Sequence, residues 1–412
     1  ANILQTACPS CDLIIDIPDI NAKQVAVCPR CNHKIRGVNI NHDTEIVALS
    51  FSALLMLLSS MFYPFISFSS NGITQTITLP DAARILFNYD SDLLGLFIDI
   101  SIIILPMSLL IILIPLHLGV LKALPQALAR RLLKFTLTLE PWIMSEIFLI
   151  GVLVSMVKIM SLAEVSFGTS FFAYVGFVIF YVSALTRLNR ARLWSQVSPA
   201  TRLQSSAGAE RAIDDNIKAC HVCHQLSVDL NCPRCHSKTY LRNPYSVQKA
   251  AAWLVTSVIC YIPANLLPIM YTISLGDETP ATLISGVITL WNSGSYPIAL
   301  IIFFASVVVP LAKALILSFL CIMVTKPANL YTKGYTKVYQ LTEFIGKWSM
   351  IDVFVVAILV ALVQLGNLMS VIPGLGIVFF TVMVLCQMMA AHAFDPRLLW
   401  DSPKNKNAEN KA

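Results

Sequence analysis

Eight apolar segments, each long enough to cross a bilayer as a helix, constrain this 412-residue chain more than any other feature. A helix needs roughly 20 apolar residues to span about 30 Å of hydrocarbon. Only 13% of the residues are charged, whereas soluble domains contain about 25%. The sequence therefore predicts an all-α multi-pass membrane protein with eight transmembrane helices. They are predicted at 46–69, 95–119, 141–162, 166–187, 248–273, 297–324, 348–369 and 372–393.

The distribution of Lys and Arg predicts the orientation of these helices, because cytoplasmic loops are enriched in both. The loops after predicted helices two, four and six are basic, whereas the opposite loops contain Arg84 among several acids. We therefore expect both termini to be cytoplasmic. The net charge of +6 follows from this topology, so we expect no nucleic-acid partner. The basic residues are Lys122, Arg130, Arg131, Lys134, Arg187, Arg190, Arg192, Arg202, Arg211, Lys326, Lys333 and Lys337.

The two halves of the chain repeat one pattern. Three pairs share an offset of 204 residues, and pairs further along the chain share an offset of 206. We expect two tandem four-helix repeats in the same orientation, related by a pseudo-two-fold axis along the membrane normal. The matched pairs are Pro64 and Pro268, Asn88 and Asn292, Pro106 and Pro310, Trp142 and Trp348, and Glu146 and Asp352.

The predicted boundaries follow from this repeat and from local composition. The alternating segment Ile73–Leu79 is typical of a strand, and we expect small periplasmic β elements after helices one and five. The predicted units are a zinc ribbon at 1–42, a transmembrane repeat at 43–194, a linker at 195–216, a second ribbon at 217–243, a second transmembrane repeat at 244–400 and a disordered tail at 401–412.

Eight of the eleven cysteines form four C-x-x-C pairs, a spacing that indicates two four-thiolate Zn²⁺ sites. Iron is the competing metal. Disulfides are the other alternative, but thiols on the cytoplasmic side stay reduced. A closed four-Cys site has no open coordination position, so two structural zinc ions are expected. The predicted ligands are Cys8, Cys11, Cys28 and Cys31 in the first ribbon and Cys220, Cys223, Cys232 and Cys235 in the second.

Charged residues inside the spans are candidates for function, since ionisable groups in a bilayer usually face a partner or a wet cavity. Lys313 in helix six and Asp352 in helix seven are predicted to pair, and a static packing pair is the alternative. In the first half Leu109 matches Lys313, whereas Glu146 matches Asp352 and joins the candidates. The sequence contains no motif typical of an ATPase or hydrolase, so no enzyme is expected. Candidates to extend the pair are Ser306, Ser318 and Thr381.

Several longer motifs resemble those of the paraquat-inducible protein A family over nearly the whole chain. They are the Cys-Pro-x-Cys pairs, Tyr261-Ile262-Pro263-Ala264-Asn265, Trp348-Ser349-Met350-Ile351-Asp352 and Phe394-Asp395-Pro396-Arg397. The resemblance implies a bacterial inner-membrane protein with a tetraspanin-like membrane region. It further implies a periplasmic mammalian-cell-entry (MCE) domain tunnel protein as partner and phospholipids as cargo. Lys313 and Asp352 would then belong to a polar network that supports transport by proton movement.

Three functional hypotheses remain at this point. The first is an intermembrane phospholipid transporter that loads or receives lipid at the MCE partner. The second is a structural membrane anchor for that partner, without transport activity of its own. The third is a zinc or redox sensor that uses the ribbons.

Overall fold

Eight helices in the described part of the chain are long and apolar enough to cross a membrane. Each overlaps one predicted segment. The computed structural model describes residues 4–17, 25–37, 43–70, 73–88, 92–120, 124–159, 164–188, 190–198, 211–274, 277–292, 294, 296–324, 332–362 and 369–401. The candidate spans are Asp43–Phe62, Leu94–His117, Gln126–Met156, Thr169–Thr186, Ser246–Leu266, Phe304–Met323, Thr332–Ala361 and Leu375–Ala393.

The first half begins with a small module that contains four short strands and continues into the first four spans. The strands of the module are β1 (Leu4–Ala7), β2 (Ile14–Ile17), β3 (Val25–Val27) and β4 (Lys34–Gly37). The elements that follow are α1 (Asp43–Phe62), β5 (Ile66–Ser70), β6 (Ile73–Ile77), α2 (Leu79–Asn88), α3 (Asp92–Asp99), a π-helical segment (Ile100–Ile104), α4 (Leu105–His117), α5 (Gln126–Leu139), a 3₁₀ turn (Glu140–Trp142), α6 (Ser145–Ile159), β7 (Glu164–Phe167), α7 (Thr169–Thr186) and α8 (Arg190–Val197).

The second half has a second small module, followed by the same order of elements up to a short 3₁₀ helix. The module contains a 3₁₀ turn (Ala212–Asp215), β8 (Lys218–Ala219) and β9 (Leu226–Ser227). The elements that follow are α9 (Ser246–Leu266), β10 (Met270–Ser274), β11 (Asp277–Ala281), α10 (Leu283–Asn292), α11 (Tyr296–Phe303), a π-helical segment (Phe304–Val308), α12 (Val309–Met323), α13 (Thr332–Gly346), a 3₁₀ turn (Lys347–Met350), α14 (Ile351–Leu362), β12 (Met369–Pro373), α15 (Leu375–Ala393) and a 3₁₀ helix (Pro396–Trp400).

The second and sixth spans each contain a π-helical turn just before a proline. Pro106 and Pro310 lack an N–H, and the proline ring clashes with the carbonyl four residues earlier. The N–H of Leu105 accordingly bonds the carbonyl of Ile100, five residues back, and Val309 bonds Phe304 in the same way. The widened turn lets each helix continue through its proline.

Each half contains a three-stranded antiparallel sheet whose central strand follows the first helix of that half. Strand β5 pairs with β6 and β7, and β10 pairs with β11 and β12. The predicted strand is present as β6. Helices one and five end earlier than predicted, because Pro64 and Pro268 follow their last turns and the backbone then becomes extended. The third strand of each sheet was not predicted.

The third and seventh spans are broken helices that start earlier than predicted. Helix α5 lies where the sequence predicted a basic loop. It buries Ala129, Leu133 and Leu137 and exposes Leu128 and Phe135. This spacing of four residues is typical of an amphipathic helix. The lysines and arginines between the apolar positions obscured this pattern in the sequence.

The two halves meet along α6 and α14. The rings of Phe148 and Phe354 lie edge to face with centroids 5.7 Å apart, and the Ser155 hydroxyl donates to the Val355 carbonyl at 3.3 Å. Helix α14 is buried from Val353 to Ala361, so it is a central helix of the molecule. Within each half the first and last spans, α1 with α7 and α9 with α15, pack along one another.

Candidate functional site

The eight cysteines of the C-x-x-C pairs form two compact clusters. Within each cluster the four Sγ atoms lie within 4.8 Å of one another, and all eight cysteines are buried and free of disulfides. Sulfur pairs lie 3.5 Å apart in the first cluster and 3.4 Å apart in the second. In a tetrahedral site with Zn–S bonds of about 2.3 Å, sulfurs lie about 3.8 Å apart. Both thiol sets therefore fit a four-coordinate metal ion, with only a small outward shift.

Each C-x-x-C pair has the same tight turn. The residue after the second cysteine is in the left-handed region, and its N–H donates to the carbonyl of the first cysteine. This geometry directs both thiols of a pair towards the same centre. His224 and His236 occupy two of these turn positions and are exposed, so the thiols alone form the clusters. The four turn residues are Asp12 (φ 62°), Asn32 (φ 59°), His224 (φ 56°) and His236 (φ 56°).

The first cysteine module contacts the second half of the chain. The Arg30 guanidinium lies 4.5 Å from the ring centroid of Trp400, a cation–π contact. The Gln340 side-chain nitrogen, on α13, lies 3.2 Å from Nδ1 of His33. The four cysteines of this module share a small apolar cluster with Trp400.

The second cysteine module contacts the first half in a matching way. Arg234 Nε donates to the Ser198 carbonyl, just after α8, at 3.0 Å. The cysteines of this module belong to one apolar cluster with Leu193 and Trp194. Arg30 and Arg234 occupy the same position in the two Cys-Pro-Arg-Cys segments, and Trp194 matches Trp400. Each module therefore contacts the half to which it does not belong.

A buried ion-pair cluster joins the modules to the end of the eighth span. Arg242 bridges Asp401 at 2.7 Å and Asp12 at 3.0 Å, and all three side chains are at most 3% exposed. Arg397 pairs with Asp395 at 2.8 Å. Burial acts to raise the pKa of Asp395, but Arg397 and Arg242 outweigh it and hold that pKa below its usual range.

This cluster corrects the predicted boundaries. Asp401 was assigned to a polar tail, yet it is buried because Arg242 holds both of its carboxylate oxygens. The described ends of the predicted linker are also ordered. The first three residues of the predicted linker, 195–197, belong to α8. Near the end of the linker, the Ile213 N–H donates to Asp12 at 3.1 Å. Residues 199–210 and 402–412 lie outside the described part of the chain.

A second polar cluster lies inside the spans of the second half. The Ser306 hydroxyl, in the π-helical turn, lies 2.6 Å from Asp352 Oδ2 and 2.7 Å from the Ile302 carbonyl. Ser306 is fully buried and Asp352 is 6% exposed. A hydroxyl has only one proton to donate, so it cannot satisfy both acceptors fully. A protonated Asp352 would resolve this conflict by donating to Ser306, which would then donate to Ile302.

Lys313 lies close to this cluster but does not join it directly. Its side chain is 2% exposed, and Nζ has no hydrogen-bond partner among the described residues. No ion pair in the described part of the chain links it to Asp352, so the predicted direct pair is absent. Lys313 is seven residues beyond Ser306, about 10 Å along the helix. Its Nζ instead lies 3.4 Å from the position that a Cβ on Gly346 would take.

The other predicted residues are placed as follows. Thr381 is buried on α15, and its hydroxyl donates to the Ile377 carbonyl at 2.8 Å. Glu146 lies in the first turn of α6 and is half-buried. Ser318 is half-buried on α12. None of the hydrogen bonds or ion pairs described for these three residues reaches Lys313 or Asp352.

Gln387 is a polar residue of this region that sequence reasoning missed. It is 1% exposed on α15, and its side-chain nitrogen donates to the Pro310 carbonyl at 2.9 Å. Its side-chain oxygen has no partner in the described part of the chain. Gln387 is uncharged, so a search for charged residues in the spans does not find it. A polar side chain near the middle of an apolar span is the signal that could have identified it.

The first half has apolar or aromatic side chains at the matching positions. Ile102 matches Ser306, Leu109 matches Lys313 and Tyr181 matches Gln387, and all three are buried. Only Glu146 retains an acid, at the position of Asp352. The buried polar cluster therefore belongs to the second half alone.

Comparison with known proteins identifies relatives over almost the whole chain. A sequence model of the family described as Paraquat-inducible protein A matches residues 44–198 and 247–404. Intermembrane transport protein PqiA of Escherichia coli is 37% identical over 408 residues, which cover 98% of this chain and 97% of that protein. Lipophilic envelope-spanning tunnel protein A of Escherichia coli is 29% identical over 407 residues, 97% of this chain and 92% of that protein. A probable intermembrane transport protein of Haemophilus influenzae is 29% identical over 406 residues, 95% of each chain. No solved structure matches the chain.

Proposed function

The chain belongs to the paraquat-inducible protein A family, and on this premise we propose that it is the inner-membrane component of an intermembrane phospholipid transport system. The names of its relatives support intermembrane transport. Eight apolar helices support a multi-pass membrane protein. The observation that carries a transport role for this chain itself is the hydrogen bond between Ser306 and Asp352 in apolar spans. Lys313 lies nearby, and its Nζ has no hydrogen-bond partner among the described residues. Such groups are costly in a bilayer and serve mainly ion or substrate pathways.

The proposed topology places both cysteine modules in the cytoplasm and both three-stranded sheets in the periplasm. The modules contact α8, α13 and the end of α15, whereas the sheets begin where α1 and α9 end, which puts them at opposite ends of the spans. The sheet side would then face a periplasmic MCE-domain tunnel protein as partner. Phospholipid would be loaded into that partner or received from it.

We also propose that the chain arose by tandem duplication of a cysteine module and four spans, with a tetraspanin-like membrane region. The family model matches two segments, one in each half. Phe148 and Phe354 hold matching positions and contact each other, as residues near a two-fold axis do.

Proton movement through Asp352 and Ser306 is the proposed coupling. A protonated Asp352 can donate a hydrogen bond to Ser306, which then donates to the Ile302 carbonyl, whereas an ionised Asp352 accepts a hydrogen bond from Ser306, so the pair can exist in two hydrogen-bonding states. The two protonation states would be linked to lipid movement.

Replacing Asp352 by Asn tests this role, because the amide keeps a hydrogen bond to Ser306 and removes the titratable proton. We expect phospholipid transfer from proteoliposomes to the periplasmic partner to fall at least tenfold, with copurification of the partner unchanged. Glu146→Gln, at the matching position of the first half, is the control and should transfer lipid normally. Normal transfer by Asp352→Asn would instead favour a structural anchor.

Each four-Cys cluster is proposed to hold a structural Zn²⁺ that folds a module too small for a core of its own. Elemental analysis of the purified protein should find two zinc ions per chain. Cys8→Ser should leave one, whereas Cys260→Ser, in α9 and outside both clusters, should leave two. Iron in place of zinc would contradict the metal assignment. Zinc content that follows oxidant exposure of the folded protein would favour a sensor.

A further inference from the structure

A cavity of about 430 Å³ lies where the two halves meet the second cysteine module. Its wall includes residues of α5, α8, α12, α13 and α15 and the loop of the second module. Ligand sites commonly enclose about 300–1,000 Å³, so the space suits a small polar group with part of a chain attached. The ionisable side chains of the wall are Lys134, Arg190, His221, Lys313, Glu343 and His392.

The wall of this cavity carries an excess of positive charge. Lys134, Arg190 and Lys313 give three cations, and Glu343 is the one carboxylate among the described residues of the wall, which leaves +2 when the two histidines are not counted. Glu140 lies just outside the wall and pairs with Arg190 at 2.6 Å, so it offsets part of this charge. The remaining field still favours an anion.

Lys313 is the strongest indication that this space binds an anionic ligand. Lys313 is 2% exposed and lines the cavity, and its buried ammonium group has no hydrogen-bond partner among the described residues. An ammonium group taken out of water without a counter-charge is destabilising. Gly346 lets Nζ approach the break between α13 and α14, because this residue has no side chain. An anion in the cavity would accept hydrogen bonds from this ammonium group.

The rest of the wall is apolar, and it favours an amphiphile over a free anion. Methionine side chains adapt to flexible chains, and the Trp ring suits the boundary between hydrocarbon and headgroups. The cavity also lies at the breaks of the third and seventh helices, between the apolar spans and the polar modules. The apolar wall is formed by Leu137, Trp142, Val222, Met388 and Met389.

We propose that this cavity binds the phosphate of a phospholipid headgroup, with Lys313 and Lys134 as its cationic ligands and Arg190 shared with Glu140. The acyl chains would lie against the apolar wall. The proposal deepens the proposed transport function by giving the lipid a binding site beside the second cysteine module.

Binding can be measured on the purified, delipidated full-length protein in a non-ionic detergent, with three probes. They are dihexanoyl phosphatidylglycerol, dihexanoyl glycerol, which lacks the phosphate, and inorganic phosphate. We expect saturable binding of the phosphatidylglycerol and at least tenfold weaker binding of the other two. Inorganic phosphate binding as tightly as the lipid would overturn the lipid assignment. Equal binding of dihexanoyl glycerol would overturn the phosphate assignment.

Two variants test whether the phosphatidylglycerol binds in this cavity. Lys313→Gln and Lys134→Gln should each weaken binding of the phosphatidylglycerol about tenfold. Lys337→Gln, an exposed lysine of α13 outside the cavity wall, is the matched control and should bind normally. Lys134 is partly exposed, so its variant should fold even if Lys313→Gln does not. Equal binding by Lys134→Gln and Lys337→Gln would overturn the proposal. Because this assay needs no partner or second membrane, its failure would leave the transport role of Asp352 standing.

Discussion

At the scale of single residues, Lys313 and Asp352 differ in how their buried charges are satisfied. Asp352 has the Ser306 hydroxyl at 2.6 Å, whereas Lys313 Nζ has no hydrogen-bond partner within the described ranges. Both residues stood out in the sequence, because charge is rare in apolar spans. The sequence did not show that the two side chains lie apart, because the distance between them depends on how α12 and α14 pack and on the π-helical turn at Ser306. Gln387 was missed for lack of a charge.

Replacing Lys313 by Leu should stabilise the protein while transport is lost. Leu109 fills the matching position of the first half, so the fold accommodates this side chain. Removing an unpaired buried polar group should raise the free energy of unfolding by roughly 1–3 kcal/mol. The measurement is thermal unfolding of the purified protein in detergent, read as a rise in Tm. Lys337→Leu, at an exposed site of α13, is the control. A lower Tm for Lys313→Leu would mean that the ammonium group has a stabilising partner.

At the scale of elements, the amino-acid pattern predicted what is local and missed what depends on distant contacts. Apolar length identified all eight spans, and period-two alternation identified β6. Strands β7 and β12 were missed because they are short and become strands by pairing with β5 and β10, about 100 residues earlier in the chain. Helices α5 and α13 were read as basic loops, because their charged face hides a narrow apolar stripe.

Gly374 is the point at which α15 is fixed to the sheet of the second half. Its N–H donates to the Ile269 carbonyl at 2.9 Å, and a Cβ there would overlap the carbonyl oxygen of Pro268. Gly374→Ala should therefore move β12 and the start of α15 apart from β10. We expect a loss of roughly 2–4 kcal/mol in the free energy of unfolding, measured by thermal or denaturant unfolding in detergent.

Gly286→Ala is the matched control for this substitution. Gly286 lies within α10, and nothing stands within 4 Å of a Cβ there. Since Ala favours a helix over Gly by about 1 kcal/mol, this variant should be as stable as the native protein or slightly more so. Equal stability of the two variants would contradict the proposed role of Gly374.

At the scale of the whole molecule, each module is held against the half to which it does not belong. The contacts that define this arrangement for the first module join residues 230 and 307 positions apart, Asp12 with Arg242 and His33 with Gln340. No periodicity or spacing in the sequence signals such pairs. Cysteine spacing predicted which residues form each cluster, but the docking partner of each module follows only from the folded chain. The cysteine clusters thus hold together surfaces of both halves on one side of the spans.

We expect the contact between the first module and the second half to depend most on Arg242. Arg242→Met would remove the closest counter-ion of the buried Asp12 and Asp401 carboxylates and leave them the longer contacts to Arg397 at 3.8 Å and Arg211 at 3.9 Å, at a cost of about 3–5 kcal/mol. We expect the first module to detach from the second half, which hydrogen–deuterium exchange should record as faster amide exchange in residues 4–17 and 25–37. Arg242→Lys should be intermediate, because an ammonium group cannot form the bidentate bridge to Asp401. Lys238→Met, at an exposed site of the second module, is the control and should exchange at the native rate. If exchange in the first module is unchanged in Arg242→Met, the docking is held by Arg30 and Trp400 instead of the ion-pair cluster.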